Sequence, residues 1–333
     1  MKKTSIVIKK YGAAQSLTIE ESQMDTSLED NEVLIEVHYS GINFADIVMR
    51  LGLYQDAPPR PFIPGYEVSG IVLNIGSQVK DIKIGDKVLA GTRFGGYTNV
   101  VKAKMSHVLK IPENYSIEQA AAIPVSFMTA YLSLFEIGRI KESDKVMIDC
   151  ATGGVGSICL QMLQKVGCLT YGISSTKKKF DTITKYGAIP LLRSEFKNFS
   201  EKDFNFIINS SGSRASTKEH IDHLDLGGHL LYLGVSSMID NGKKSYLKLL
   251  KGLITVPWFL SFSFMMNNYT ISGINVLNYF DDPKWADKGF KKILDHTYLI
   301  PHIGKIYPFD QVTQAHLDLE QSKAVGKLLL KWK

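Results

Sequence analysis

The stretch Ala151-Thr152-Gly153-Gly154-Val155-Gly156 has the residue types and spacing to hold a dinucleotide. It fits the glycine fingerprint of such sites with Ala151 in the first glycine's place. Gly153 lets the backbone approach a pyrophosphate, and Gly156 lets a helix pack closely on a strand. A helix opening at Val155 aims N–H groups and a positive dipole end at phosphates. The plain alternative is a tight turn. The context favours the dinucleotide, because the loop lies between a short apolar strand over 145–150 and a helical pattern over 155–166.

The next strand indicates which dinucleotide. It ends in Ser174 and Ser175, and then come Thr176 and Lys177-Lys178-Lys179. An NAD site carries an acid there to bind the ribose 2′-hydroxyl. Here the first acid is Asp181. A carboxylate would repel a 2′-phosphate, whereas hydroxyls and ammonium groups bind one. Three lysines at a helix start also oppose its dipole, and an anionic ligand would relieve the misfit. The residues therefore predict NADPH, held at its adenosine end by Ser174, Ser175, Lys179 and Arg193. Ligands lie beyond the carboxyl ends of parallel strands. Val235 and Ser236, after a strand over 229–234, are therefore expected on the nicotinamide side.

These residues need a frame. The first 120 residues read mostly as β, with short β-branched runs at 33–37, 70–73 and 85–91 and a proline-rich extended loop over 58–64. From Pro124 onward apolar strands alternate with helical patterns: strands over 145–150, 169–173, 204–209, 229–234 and 271–276, and helices over 155–166 and 178–186. Such a series builds a parallel sheet with helices on both faces. A helix over 285–296 and a strand over 326–330 follow. The fold class is α/β. A Rossmann-type doubly wound domain over 124–278 is inserted in a β-rich domain made of 1–123 and 279–333.

The totals narrow the function. The chain has 333 residues, 44% of them apolar and 22% charged, which argues against disorder. The net charge of +6 is spread along the chain, so no nucleic-acid surface is predicted. Cys150, Cys159 and Cys168 match neither a disulfide framework nor a zinc pattern and read as reduced, packed thiols. The basic N-terminus lacks an apolar run for secretion, and the default compartment is the cytoplasm. The uncharged run over 252–266, broken by Pro257, is too short to cross a membrane. Its aromatic and methionine part, from Trp258 to Met266, reads as core packing, a substrate cleft wall, or a peripheral membrane or partner contact.

The chain resembles the medium-chain dehydrogenase/reductase superfamily, in its zinc-free quinone oxidoreductase branch. The resemblance is carried by Ser40-Gly41-Ile42-Asn43-Phe44-Ala45-Asp46, Pro64-Gly65-Tyr66-Glu67-Val68-Ser69-Gly70, the Gly153 loop and Val325-Gly326-Lys327. Gly52-Leu53-Tyr54 and the aromatic stretch near Trp258 are similar to the vesicle amine transport protein group. The resemblance implies that the β-rich domain is GroES-like and that the chain forms a homodimer through the strand near Ile274. Zinc-dependent relatives have cysteine at Asn43 and histidine at Tyr66, so no metal is expected, and Glu67 alone cannot hold one. His220 and His223, a close pair, read as a polar helix surface.

A zinc-free reductase suits quinones or α,β-unsaturated carbonyl compounds. Conjugation spreads the developing charge, and hydrogen bonds hold it. By the same resemblance Asn43 is the candidate donor, with a turn cap as its alternative. Asp46 is a helix cap or a proton-transfer group. A tyrosine found two residues later in several relatives is Val48 here, which speaks against an enoyl-thioester reductase. Tyr54 is a replacement proton donor or a packing residue. Thr129 is similar to a threonine near the nicotinamide ribose, and Lys327 is a phosphate contact or a solvated edge lysine. The competing reading is a nucleotide-binding scaffold with little turnover.

Overall fold

The computed structural model describes residues 1–234 and 261–333, apart from the side chains of residues 214, 261–263, 283, 284, 286 and 287. Val235, Ser236 and the start of the Trp258 run lie outside the described residues. Contacts divide the chain into two units. One comprises Met1–Met128 and Val276–Lys333, and the other the described residues of 129–275.

The first unit opens with the hairpin β1 (Lys2–Ile8) and β2 (Leu17–Gln23). There follow β3 (Glu32–Ile42), α1 (Phe44–Arg50), β4 (Glu67–Ile75), β5 (Lys87–Gly91), β6 (Val100–Lys104), β7 (Val108–Lys110) and α2 (Ile117–Ala121). Helix α3 (Pro124–Tyr131) carries the chain into the second unit. That unit contains β8 (Lys145–Ile148), α4 (Gly154–Val166), β9 (Leu169–Ser174), α5 (Phe180–Lys185), β10 (Ile189–Leu192), α6 (Arg193–Phe196), β11 (Phe204–Asn209), α7 (Arg214–Ile221), β12 (Leu224–Tyr232), α8 (Ser261–Asn267) and β13 (Thr270–Gly273). The chain then returns to the first unit as α9 (Leu277–Asp281), α10 (Pro283–Asp295), β14 (Ile303–Pro308), α11 (Val312–Glu320) and β15 (Lys327–Lys331).

In the second unit six strands run in the order β10-β9-β8-β11-β12-β13, all parallel. Strands such as Phe204-Asn-Phe-Ile-Ile-Asn209 are buried on both faces, which explains their near-continuous apolar runs. This is the doubly wound Rossmann arrangement. Strand β12 begins five residues earlier than the expected 229, because Leu224 already pairs with Phe204. In the first unit the order is β14-β15-β3-β4-β5-β7, with β6 also on β3. The expected closing strand is real, and β14, which lacks a clear apolar alternation, lies parallel beside it.

His220 and His223 correct the reading of a polar helix surface. Both are buried, and the His223 ring stacks on Phe196 with centroids 4.4 Å apart. Aromatic neighbours, not water, surround the pair. Burial pushes His220 down to about 3. Cys159 is packed as expected, but Cys150 is exposed and Cys168 is half-buried. No helix among the described residues is long and apolar enough to cross a membrane. Of the apolar run, Met265 and Met266 on α8 are exposed.

One long-range contact ties the first unit's two chain segments. Arg50, at the end of α1, is fully buried and ion-paired to Glu320, at the end of α11. Removing one member of a buried pair leaves an uncompensated charge, costing about 3–5 kcal/mol, whereas apolar replacement of both is often neutral. Glu320→Ala is thus expected to lower the denaturation midpoint sharply, and Arg50→Met with Glu320→Leu to restore most of it. A single variant as stable as the wild type would contradict this.

Candidate functional site

Each unit holds one candidate site. In the second, β8 ends at Ile148 and the chain turns through Asp149 and Cys150, the latter at φ +55. The Gly153 N–H donates to the Cys150 carbonyl at 3.1 Å, and Gly153 caps α4 in an extended conformation. A Cβ on Gly156 would lie 2.5 Å from that same carbonyl, so only glycine lets the first turn of α4 rest on the strand end. Among the described residues, a Cβ on Gly153 would meet only the Cys150 oxygen, at 3.5 Å. Ala151, in the first fingerprint position, is buried beside Gly172, where an added Cβ would come within 2.9 Å of its methyl. The first turn of α4, from Gly154 and Val155, has N–H groups without helical acceptors, as every helix start does.

At the end of β9, Ser174 is buried. Its hydroxyl donates to the Thr176 carbonyl at 3.0 Å and accepts from the Thr176 N–H at 3.3 Å. It therefore shapes the turn, and Ser175 is the exposed hydroxyl. Lys179 is half-buried, and burial lowers its pKa. Arg193 follows β10 and is ion-paired to Asp149. Burial also lowers the Arg193 pKa, and Glu219 opposes that shift. Asp149 has a fully buried side chain and was not singled out in the sequence, where it reads as the polar end of an apolar strand. Its Oδ2 accepts from the Ser210 hydroxyl at 3.0 Å and the Ser210 N–H at 3.3 Å. Thr129 is buried in α3.

These residues fit a phosphorylated dinucleotide. Among the described residues only the Cys150 oxygen crowds Gly153, the helix that follows has 13 residues, and hydroxyls and an ammonium group cluster at the β9 end. The carboxylate nearby, Asp149, is neutralised by Arg193.

In the first unit, β15 pairs antiparallel with β3, and β3 with β4. Leu328 faces Ile42 and Val68 faces Ser40, so the neighbouring residues Lys327, Asn43 and Glu67 come together. The Lys327 ammonium donates to Asn43 Oδ1 at 2.7 Å and is ion-paired to Glu67 Oε1. Asn43 Nδ2 donates to Glu67 Oε1 at 3.0 Å, and the Val125 N–H donates to Glu67 Oε2 at 2.8 Å. Gly41 must lack a side chain here, because its Cβ would stand 2.4 Å from the Glu67 carboxylate. Lys327 is thus buried, not a solvated edge lysine.

The chemistry of the partners fixes the Asn43 amide. An ammonium group can only donate and a carboxylate only accept, so the amide oxygen faces Lys327 and the nitrogen faces Glu67. Glu67 takes one of the two N–H groups. Asn43 itself is half-buried, with the two charged residues behind it.

Asp46 lies behind the α1 start. It accepts from the Asn43 N–H at 2.8 Å, the Gly65 N–H at 3.2 Å and the Tyr97 hydroxyl at 2.9 Å. The His316 Nε2 is 3.3 Å from the same hydroxyl. Since Tyr97 gives its proton to Asp46, His316 must donate from Nε2. Burial holds His316 down to about 3, hence neutral. Asp46 thus ties the entry to α1 to the turn at Gly65. Tyr54 is half-buried against the Tyr66 ring, 6.3 Å between centroids, and burial raises its pKa. The Tyr66 hydroxyl points to the Met49 sulfur at 3.6 Å. Among the described residues no group of three or more His, Cys, Asp and Glu converges as metal ligands would.

Burial also pushes Asp46 up from 3.8 to about 7, against the hydrogen bonds from Asn43 and Tyr97. Between those two values the folded chain holds a proton that the unfolded chain has lost. The stability this contributes is present below the lower value and lost as pH rises through the upper one. Wild-type stability minus that of Asp46→Asn is therefore expected to shrink from pH 4 to pH 8 in urea titrations. A constant or growing difference would contradict the assignment.

Comparison with known proteins gives the family. Residues 29–113 match the alcohol dehydrogenase GroES-like domain, and residues 181–330 match the family described as zinc-binding dehydrogenase. The chain is 28% identical to the synaptic vesicle membrane protein VAT-1 homolog of Danio rerio, over 98% of this chain and 69% of that one. It is 29% identical to quinone oxidoreductase-like protein 2 of Rattus norvegicus, over 96% and 90%. Among solved structures, Escherichia coli quinone oxidoreductase complexed with NADPH matches with a TM-score of 0.84 and 25% identity, over 99% and 100% of the two chains. With a GroES-like unit, a Rossmann unit and relatives that include quinone oxidoreductases, the chain belongs to the medium-chain dehydrogenase/reductase superfamily of oxidoreductases.

Proposed function

We propose that the chain is an NADPH-dependent, zinc-independent reductase of quinones or of other α,β-unsaturated carbonyl double bonds. The observation that carries this reading is the end of β9. The exposed hydroxyl of Ser175 and the ammonium of Lys179 stand where an NAD site has an acid, after the strand that follows the glycine loop and its helix. In this reading Gly153, Gly154 and Val155 hold the pyrophosphate. Ser174 shapes the turn that presents Ser175, and Ser175, Lys179 and Arg193 meet the adenosine phosphate. Thr129, Val235 and Ser236 serve the nicotinamide side. The cofactor, when bound, supplies the hydride.

The first unit's residues handle the charge that develops on substrate oxygen. Conjugation spreads that charge, so preorganised donors suffice. Asn43 is the proposed donor. Its amide is locked by Glu67 and Lys327, and the second Nδ2 proton is presented to the substrate. Lys327 in this reading acts by orienting Asn43, since its buried ammonium is engaged by Glu67 and Asn43. Asp46 acts as the carboxylate that shapes the start of α1. The raised pKa of Tyr54 keeps its phenol protonated, and it or water returns the proton. A homodimer through β13, the edge strand, completes the proposal.

Titration of the purified chain with NADPH and NADH tests this reading. Ser175→Asp is expected to raise the NADPH Kd at least tenfold, about 1.4 kcal/mol, and to leave NADH binding unchanged or improved. Lys179→Ala should weaken NADPH by roughly threefold to tenfold, the scale of a lost charge-assisted contact. NADPH oxidation should respond to a quinone and enone panel. Unchanged cofactor preference in both variants, or faster turnover of a simple aldehyde, would overturn the reading.

A further inference from the structure

Asp149 and the two residues that close on it follow different strands of the parallel sheet. Asp149 follows β8, Arg193 follows β10 and Ser210 follows β11. The strand order is β10-β9-β8-β11, so β9 lies between the strands that supply Arg193 and Asp149. Their ion pair must span two inter-strand gaps, roughly 10 Å, and it crosses the end of β9 to do so. That end carries Ser174 and Ser175. The two partners are unequally placed: the Asp149 side chain is fully buried, while that of Arg193 is 38% exposed. The carboxylate is therefore beneath and the guanidinium faces outward. Ser210 secures the carboxylate from the other side with its hydroxyl and its N–H.

A guanidinium group carries five N–H donors in a planar fork, and Asp149 engages one arm of it. An unanchored arginine would surrender considerable rotamer freedom on meeting a ligand, and an arginine already held surrenders less. We propose that Asp149 is a positioning residue for cofactor discrimination, holding the Arg193 guanidinium over the end of β9 to meet the phosphate on the adenosine ribose. This rests on the NADPH reading above. Asp149 touches no ligand and acts through Arg193.

The test compares Kd values for NADPH and NADH in the full chain, read from nucleotide fluorescence. Asp149→Asn keeps the size of the side chain and an acceptor for Ser210 but removes the charge. It is expected to raise the NADPH Kd threefold to tenfold and to leave the NADH Kd within twofold. Arg193→Leu should do the same, and the double variant should be no worse than Arg193→Leu alone, since both changes remove one interaction. A merely structural Asp149 would shift both nucleotides equally, and that result overturns the inference. So do fully additive effects in the double variant. If Asp149→Asn does not fold, Arg193→Lys keeps the charge and loses the fork. A weakened NADPH affinity with unchanged NADH then supports the inference, and no change overturns it. If Ser175→Asp alters cofactor preference while Asp149→Asn does not, the inference falls alone. A wild-type chain that ignores NADPH sinks the cofactor reading and the inference together.

Discussion

A carboxylate withdrawn from water must be neutralised or it will not stay charged, and this constraint shapes every polar cluster described in the chain. Glu67 and Asp149 have no exposed side-chain surface, and Glu320 has almost none. Each has a basic partner brought from a distant part of the sequence: Lys327 for Glu67, Arg193 for Asp149, Arg50 for Glu320. Among the described residues Asp46 has no ion pair, and it meets the same demand differently, by hydrogen bonds and by a raised pKa. The buried acids thus decide where cations can be, and two of those cations, Lys327 and Arg193, stand at the candidate sites.

The strands make those pairings affordable. Lys327, Asn43 and Glu67 meet because β15, β3 and β4 are adjacent, mutually antiparallel strands of one sheet. Asp149, Arg193 and Ser210 meet because they follow three strands of one parallel sheet at the same end, where an open sheet leaves a crevice. In each case a missing side chain makes room. Gly41 admits the Glu67 carboxylate, and Gly156 admits the start of α4 against the Cys150 carbonyl. These are steric demands on particular atoms, so even an alanine methyl at either position would collide with its neighbour.

Legibility followed sequence distance. The glycine loop and the hydroxyl-rich end of β9 were readable because each is a continuous stretch with local chemistry, and their strand and helix contexts are periodic. The parallel sheet was readable for the same reason, with strand ends displaced where pairing overrode pattern, as at Leu224. The Glu67 cluster was not, because it joins residues 43, 67 and 327, and no periodicity links them. Gly41 beside Asn43 was the one available signal, a glycine inside an otherwise β-branched and polar strand, where close approach is a standard cause. Arg50 and Glu320 looked like ordinary surface charges, and 270 positions separate them. His220 and His223 misled because polar spacing says nothing about Phe196 and Phe199, which cover the rings.

The family description matched by residues 181–330 names zinc, and the donor set here answers to a different chemistry. At the two positions where zinc-dependent relatives carry ligands, this chain has an amide and a phenol, and the phenol is directed at the Met49 sulfur. The remaining carboxylate, Glu67, is occupied: one oxygen takes an ammonium group and an amide, the other a backbone N–H. A divalent cation would have to displace Lys327 from a buried pair, leaving that ammonium unpaired in the interior. The chain has in effect built its own fixed cation at this place. Unlike a metal, an ammonium group cannot bind a carbonyl as a Lewis acid, but it can hold an amide in one orientation. In the proposed reading, a site made this way stabilises charge by hydrogen bonds of fixed direction, which suits acceptors whose own conjugation carries most of the burden.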